Sequence, residues 1–301
     1  MKVKISAVIL TKNEEANIER CLKSVDFCDE IIVIDDNSND NTLDKIRNKS
    51  RIQIFKRKLD GDFAAQRNFG TSKAGNDWVL FIDADEEMTK ELKVEISRIF
   101  LNPFVRAQDY SSIHDLDFRF PTSSFKLRGT SRGNDTNPVL AFYLKRRDYF
   151  WDKELNWGET RKVKENGLIR LVKKDSGSWE GKVHEEFKLK TPALPAGRQN
   201  QKFKTLKNYL DHYPHQTLKE FLEEINFYSS LRAKEINSHG KKINIFEIVF
   251  YPLGKFLLNY FLKLGFLDGA AGFTYAFLMS FHSFLVRVKL YQINLTANKR
   301  R

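Results

Sequence analysis

The stretch Asn76-Asp-Trp-Val-Leu-Phe-Ile-Asp-Ala-Asp85 constrains the fold more than any other part of the chain. Trp78 to Ile82 is an unbroken apolar run with no polar face, the pattern of a strand buried on both sides of a parallel sheet. The fold class it predicts is α/β, with helices covering both faces of the sheet. The run ends in two carboxylates separated by one small residue. Ligands of open α/β sheets bind beyond the carboxyl ends of the strands, and Asp83 and Asp85 fall there. Two carboxylates so close repel each other unless a cation lies between them. Hard oxygen ligands suit Mg²⁺ or Mn²⁺, which are commonly shared with substrate phosphates. A local reading competes with this one. Glu86 and Glu87 fit the first turn of a helix running from Thr89, where acids favour the helix macrodipole.

The sequence ahead of this run follows the same plan. Lys4 to Leu10 reads as a strand, Thr11-Lys-Asn-Glu-Glu15 as a polar loop, and Glu15 to Val25 as a helix with Ile18, Cys21, Leu22 and Val25 on one face. Glu30 to Asp35 is a second strand ending in Asp35 and Asp36, followed by an Asn- and Asp-rich loop and a helix through Ile46. Ile52 to Phe55 is a third strand, and Phe63 to Gly70 a short amphipathic helix. This alternation predicts a mostly parallel sheet with right-handed crossovers. It places the acidic ends Asp35-Asp36 and Asp83-x-Asp85 side by side. Asp35-Asp36 also suits a plain turn and N-cap before Leu43. Neither G-x-G-x-x-G nor G-x-x-x-x-G-K-[ST] occurs, so a bound anion must be held by metal and basic side chains, with Arg67 and Lys12 nearest.

A formal charge of +12 over 301 residues calls for an anionic partner: nucleic acid, a membrane surface or a phosphorylated substrate. The positive residues are spread rather than striped, and no common nucleic-acid motif is present. No nucleic-acid partner is therefore expected, and a basic nucleic-acid-binding protein stands as the alternative from a different class. Cys21 and Cys28 have no CxxC spacing and no histidine cluster nearby, which predicts reduced thiols and a cytosolic setting. The apolar run after Met1 stops at Thr11, too short for a signal-peptide core.

Four segments together, Val8-Ile-Leu-Thr-Lys-Asn-Glu-Glu15, Ile34-Asp-Asp-Asn-Ser-Asn-Asp-Asn-Thr42, Ala65-Gln-Arg-Asn-Phe-Gly70 and Phe81-Ile-Asp-Ala-Asp85, resemble the ordered motifs of family 2 glycosyltransferases with the GT-A fold. The chain is most similar to the lipopolysaccharide core beta-glucosyltransferase branch. The resemblance implies that Leu10, Thr11 and Asn13 line the nucleotide and that Asp35 or Asp36 bonds the base or ribose. It implies that Asp85 ligates a metal on the donor diphosphate, that Asp83 lies nearer the ribose, and that Arg67 steadies the donor. Farther on, Trp179-Glu-Gly-Lys-Val-His-Glu-Glu186 carries a second constellation. Inverting sugar transfer needs a base at the acceptor hydroxyl. Val183-His184-Glu185 resembles the late motif of this branch, which implies Glu185 as base with His184 beside it. Glu186 is adjacent, and the Glu-Asp pair that many family members carry is not found, so the base stays between Glu185 and Glu186.

The resemblance implies an inverting hexosyltransferase, moving glucose or another hexose from a uridine diphosphate donor to a lipid-linked glycan in cell-envelope polysaccharide or lipopolysaccharide synthesis. The alternative enzyme is a polyprenyl-phosphate glycosyltransferase. The expected division is a GT-A domain over 1–235, with a nucleotide-binding half at 1–100 and an acceptor half at 101–235, and a membrane-associating appendage over 236–301.

Between these motifs, 102–137 reads as a polar excursion, Val139 to Leu144 and Leu168 to Val172 as strands, and 190–199 as an exposed loop. Leu206 to Leu210, His212 and Thr217 to Glu235 show helical periodicity. His212 and His215 either touch metal or diphosphate, or are surface and packing residues. Ile243 to Tyr291 is rich in Phe, Leu and Tyr. Its uncharged run 269–286 is near the lower limit for crossing a bilayer but is diluted by Ala, Gly, Ser, Thr and His282. With Lys255, Lys263, Arg287 and Lys289 between the aromatics, it fits helices lying in the interface of an anionic membrane, on the cytoplasmic side. A helical hairpin packed on the core or on a second subunit is the alternative.

Overall fold

The computed structural model describes residues 3–100, 139–182, 185–190, 203–215 and 217–298. The excursion at 102–137, His184, and the loop at 190–199 apart from Lys190 lie outside the described residues.

β1 (Ile5–Thr11), β2 (Glu30–Asp35), β3 (Ile52–Lys56) and β4 (Trp78–Asp83) form a parallel block in the order β3-β2-β1-β4. β1, β2 and β4 are buried on both sides, which accounts for their continuous apolar runs, whereas β3 at the edge is only half-buried. Ile5, Ala7 and Ile9 of β1 and Trp78, Leu80 and Ile82 of β4 pack toward α1 (Ile18–Ser24). Val8, Val79 and Phe81 pack on the opposite side, where α2 (Phe63–Lys73) lies. Gly70 of α2 sits so close to β1 that a β-carbon there would lie 2.4 Å from Val8 Cγ1.

After β4 the chain departs from the expected plan. Ala84 and Asp85 make a two-residue turn into β5 (Glu86–Met88), a strand rather than a first helical turn, and α3 (Lys90–Phe100) starts only after it. The sheet continues from β4 through β8 (Leu168–Lys173), β6 (Ala141–Phe150) and β11 (Phe203–His212) to β5, with β7 (Lys153–Leu155) added to β6. β8 is antiparallel to both β4 and β6, so the sheet is mixed. Three strands separate β4 from β5 in this order, although only two residues join them. Four strand spacings of about 4.8 Å exceed what three residues can span, so the sheet bends back on itself. Asp83-Ala84-Asp85 lies at the closing seam. The bend brings the ends of β4, β5, β6, β8 and β11 to one place.

Three further expectations are corrected. Asp35 and Asp83 are not neighbours, because β1 lies between their strands, with Thr11 opposite Asp35 and Leu10 opposite Asp83. Residues 43–48 form turns rather than a helix, with Leu43 and Ile46 buried. Leu206 to Leu210 is extended, within β11. α4 (Arg161–Asn166) precedes β8, and β9 (Gly177–Glu180) pairs with β10 (Glu186–Leu189) in a separate two-stranded sheet.

α5 (Leu218–Ser238) begins with a reciprocal cap between Thr217 and Glu220 and runs past residue 235. α6 (Ile245–Leu257) passes into a π-helical turn, Leu258–Leu262, then a 3₁₀ turn, Gly265–Asp268, and returns as α7 (Gly269–Asn298). Phe150, Leu155, Phe221, Ile225, Ala271 and Leu278 form one buried cluster that ties α5 and α7 to the sheet. By length and composition, Ile245–Leu262 and Gly265–Thr296 are each long and apolar enough to cross a membrane.

Candidate active site

The first wall of the site is the loop after β1. Asp36 N–H donates to the Thr11 carbonyl at 2.9 Å, and Ala84 N–H donates to the Leu10 carbonyl at 3.0 Å, so this loop is bonded to both acidic strand ends. Asn13 adopts a left-handed backbone, φ 54°. Its side-chain oxygen accepts from Asn39 N–H, and its own N–H donates to Ser38 Oγ. Asp35 is fully buried and accepts from Ser38 N–H, the local turn role. Asp36 accepts from Leu59 N–H and from Lys12. The hydroxyl of Thr11 is buried without a hydrogen-bond partner among the described residues.

The second wall is a buried lattice of charge around the Asp-x-Asp turn. Arg67, from α2, donates from Nε to Glu185 at 2.8 Å and from Nη2 to Asp83 Oδ1 at 3.1 Å. Its guanidinium lies over the rings of Phe81 and Trp179. Arg170, from β8, takes the other side of Asp83 at 2.7 Å and reaches Glu86 at 2.6 Å. Burial alone would raise the Asp83 pKa, but Arg170 and Arg67 outweigh it and hold the carboxyl well below the usual range. Glu86 is fully buried. It accepts from Arg170, from Arg146 at 3.3 Å and from the Asp83 N–H at 2.9 Å, so it shapes the turn that presents both aspartates.

Asp85 faces a different set of groups. His212 Nε2 lies 3.1 Å from Asp85 Oδ2, and Nδ1 lies 2.5 Å from Asp148 Oδ1. Asp148 in turn pairs with Arg146 at 3.0 Å. Burial and Arg146 lower the imidazole pKa, but Asp85 and Asp148 outweigh them and raise it to about 9. At neutral pH both ring nitrogens therefore carry protons and donate, one to each carboxylate. Glu14 completes this corner, its pKa raised to about 8 by burial and then by Asp85.

The structure thus gathers Asp83, Asp85, Arg67 and Glu185 into one cluster from α2, β4 and the segment before β10. Leu10, Thr11, Asn13, Asp35 and Asp36 form the adjoining rim. Glu186 points away to solvent and pairs with Lys188. His212 belongs to the site, whereas His215 stacks on Phe221 at 3.7 Å and does not. Glu86, Arg146, Asp148 and Arg170 are members the sequence reading missed. For Arg146, Asp148 and Arg170 the signal was ionisable residues in or beside strand-like runs, as in Leu168-Ile-Arg-Leu-Val172, whereas Glu86 had the composition of a first helical turn. Tyr228 of α5 stacks on Phe63, and its phenol pKa is raised by burial first and then by Glu224, Asp83, Asp85 and Glu185, so α5 borders the site as well.

A divalent cation can be tested against this arrangement. Both oxygens of Asp83 are occupied by guanidinium groups, whereas Asp85 meets the His212 imidazole through Oδ2. Asp85 presents a hard carboxylate ligand of the kind Mg²⁺ and Mn²⁺ accept, while both nitrogens of His212 are engaged by Asp85 and Asp148. Among the described residues no three His, Cys, Asp or Glu side chains are grouped to hold an ion unaided, so a metal at Asp85 would take its remaining ligands from the donor diphosphate and water.

Residues 6–152 match the family model for glycosyl transferase family 2. An uncharacterized glycosyltransferase of Rickettsia bellii (strain RML369-C) is 31% identical over 297 residues, covering 98% of this chain and 88% of that protein. The lipopolysaccharide core biosynthesis glycosyltransferase LpsC of Rhizobium meliloti (strain 1021) is 25% identical over 298 residues, covering 97% and 93%. Among solved structures, the mannosyltransferase PcManGT from Pyrobaculum calidifontis in complex with GDP-Man and Mn²⁺ is 13% identical, with a TM-score of 0.46 over 96% of this chain and 87% of that one, a likeness too distant to refine the assignment. Four motifs in order, the strand plan that carries them and relatives matched over nearly the whole length lead to one conclusion: the chain belongs to glycosyl transferase family 2 and is a glycosyltransferase with the GT-A fold.

Proposed function

We propose that the protein transfers a hexose, with inversion, from a nucleotide diphosphate donor to a hydroxyl of a lipid-linked glycan in lipopolysaccharide or related envelope synthesis, on the cytoplasmic face of the membrane. The observation that carries the reading is the double engagement of Arg67, which holds Glu185 and Asp83 on one guanidinium. Glu185 is thereby fixed beside the Asp-x-Asp turn, where a base must meet the acceptor hydroxyl opposite the leaving diphosphate. Leu10, Thr11, Asn13 and Asp35 or Asp36 border the nucleotide. Among the described residues the Thr11 hydroxyl and Arg67 Nη1 have no partner, which supports this, since a buried donor left unsatisfied costs about 1–3 kcal/mol that a ligand can relieve. Asp85 would hold Mg²⁺ or Mn²⁺, with His212 behind it, and Asp83 lies toward the ribose. A cation bound there neutralises charge on the leaving diphosphate. LpsC, matched over most of its length, is named for lipopolysaccharide core biosynthesis, which supports the acceptor class.

The test is release of a nucleoside diphosphate from a panel of nucleotide sugars, with Mn²⁺ or Mg²⁺ and then with chelator. Asp85→Ala should abolish metal-dependent release and leave the far-UV spectrum unchanged; retained turnover refutes the metal role. Glu185→Gln should reduce transfer to a sugar hydroxyl by about 10²–10⁴-fold. Little change would favour a polyprenyl-phosphate acceptor, whose oxygen needs no base.

A further inference from the structure

We infer that the outer face of α6 and the π-helical turn after it is a docking surface for an anionic bilayer, on which the protein lies flat without crossing. The inference rests on the membrane reading above and specifies it. Phe246, Phe250, Leu253, Leu257 and Phe261 recur at helical spacing along one stripe. Phe246 is 68% and Phe250 60% exposed, and Leu262 at the far end is 77% exposed. Only Ile248 and Pro252 of α6 are buried, the latter side held by Ser280, which donates to the Pro252 carbonyl. A contiguous apolar bar of this size marks an interaction surface.

Charge identifies the partner. Residues 236–301 hold nine basic and two acidic side chains, +7 of the chain's +12. Lys241 and Lys242 lie exposed just before α6, and Lys263 lies exposed just after the bar. The charged groups within it turn elsewhere: Lys255 pairs with Glu159, and Glu247 caps the start of α6. An apolar stripe with lysines at both ends matches the acyl boundary and headgroups of an anionic leaflet.

Length alone would permit a span, since Ile245–Leu262 measures about 27 Å. The attachments at both ends oppose it. At the turn, the Asp268 carboxylate accepts from the backbone N–H groups of Asn156 and Trp157 at 3.0 and 2.9 Å, and Gly158 N–H donates to the Lys263 carbonyl at 3.0 Å. At the start, Ile243 N–H donates to Asn294 of α7, and α7 is bonded to α5 through Lys289 and Asn294. Both ends of the bar are therefore fastened to the enzyme body. To cross, the bar would have to pull the 156–160 loop, with Glu159 and its neighbour Arg161, into hydrocarbon.

The experiment uses the full chain and vesicles of phosphatidylcholine with or without phosphatidylglycerol. Native Cys21 and Cys28 are fully buried, so single substitutions Phe246→Cys, Leu253→Cys and Phe261→Cys carry an environment-sensitive fluorophore selectively. Binding to phosphatidylglycerol vesicles with the same shallow quenching by depth-graded brominated lipids at all three positions is expected. Deepest quenching at position 253 would show a span and overturn the inference. Lys241→Gln, Lys242→Gln and Lys263→Gln together should weaken vesicle affinity about a hundredfold, roughly fivefold for each charge. Equal binding to neutral vesicles overturns the anionic assignment. Phe250→Glu with Leu257→Glu should abolish vesicle binding and leave vesicle-free donor hydrolysis unchanged. If instead wild type ignores vesicles and self-associates, and this pair makes it monomeric, the face is an interface between copies. Loss of donor hydrolysis in wild type would count against the proposed reaction, not against this surface.

Discussion

Arg170 joins the Asp-x-Asp turn to the remainder of the bent sheet, and Arg170→Met tests that arrangement. Methionine retains much of the packing volume and removes the charge. Arg170 lies 2.6 Å from Glu86 and 2.7 Å from Asp83. Without it, fully buried Glu86 keeps, among the described residues, Arg146 at 3.3 Å and the Asp83 N–H. Removing one partner of a buried pair costs about 3–5 kcal/mol. Asp83 retains Arg67, and its side chain is 31% exposed, so the low end applies. The expected loss is about 3 kcal/mol in urea unfolding, or about 6–12 °C in Tm for a domain of this size. The deficit has a defined pH dependence. The folded pKa of Asp83 is depressed, so its contribution is present above about pH 4, the unfolded value, and is lost as pH falls toward the folded one. The penalty should therefore shrink below pH 4. Adding Glu86→Gln should recover part of the loss, with a coupling of about 1–3 kcal/mol. A loss under about 1 kcal/mol, or strict additivity of the two substitutions, would refute the claim that this lattice holds the turn.

In metal-free protein, His212→Gln should destabilise more at pH 6 than at pH 9.5, by about 3 kcal/mol. The folded pKa of about 9 lies above the unfolded value, so the contribution is complete below about pH 6.5 and lost as pH rises through 9; urea titrations in chelator at the two pH values read it directly. Cys21 and Cys28 should be silent to a chromogenic disulfide reagent at pH 8 in native protein and titrate fully in urea, because burial pushes both thiols up. Gly70→Ala should destabilise by about 1–3 kcal/mol, by thermal melt, despite the better helix propensity of alanine, because the new methyl would meet Val8.

What could be read from the chain alone was local and periodic. Ile5 to Leu10, Glu30 to Asp35 and Trp78 to Ile82 carry no polar face, a pattern that suits a strand covered on both sides, and their spacing around α1 and α2 admits little besides a parallel block. The acids that stop those strands mark the carboxyl ends, beyond which open α/β sheets bind their ligands. Glu86 shows where local reasoning fails: beside Glu87 it has the composition of a first helical turn, and nothing nearby reveals that it becomes an edge strand paired with residues 210–212. Leu206 to Leu210 misleads similarly, because its spacing fits a helix as well as a strand with a bulge.

The sequence by itself determined the apolar strands and the acidic ends, which depend on residues within about ten positions of one another, and the family, through four such short segments in order. Only tertiary structure decided that β1 separates Asp35 from Asp83, that Arg67 binds Glu185 across 118 positions, and that His212 and Asp148 stand behind Asp85. Those contacts follow from the bend of the sheet, which brings strands distant in the chain to one seam. A buried charge is tolerable only where its partner arrives, and the path of the whole backbone sets that place.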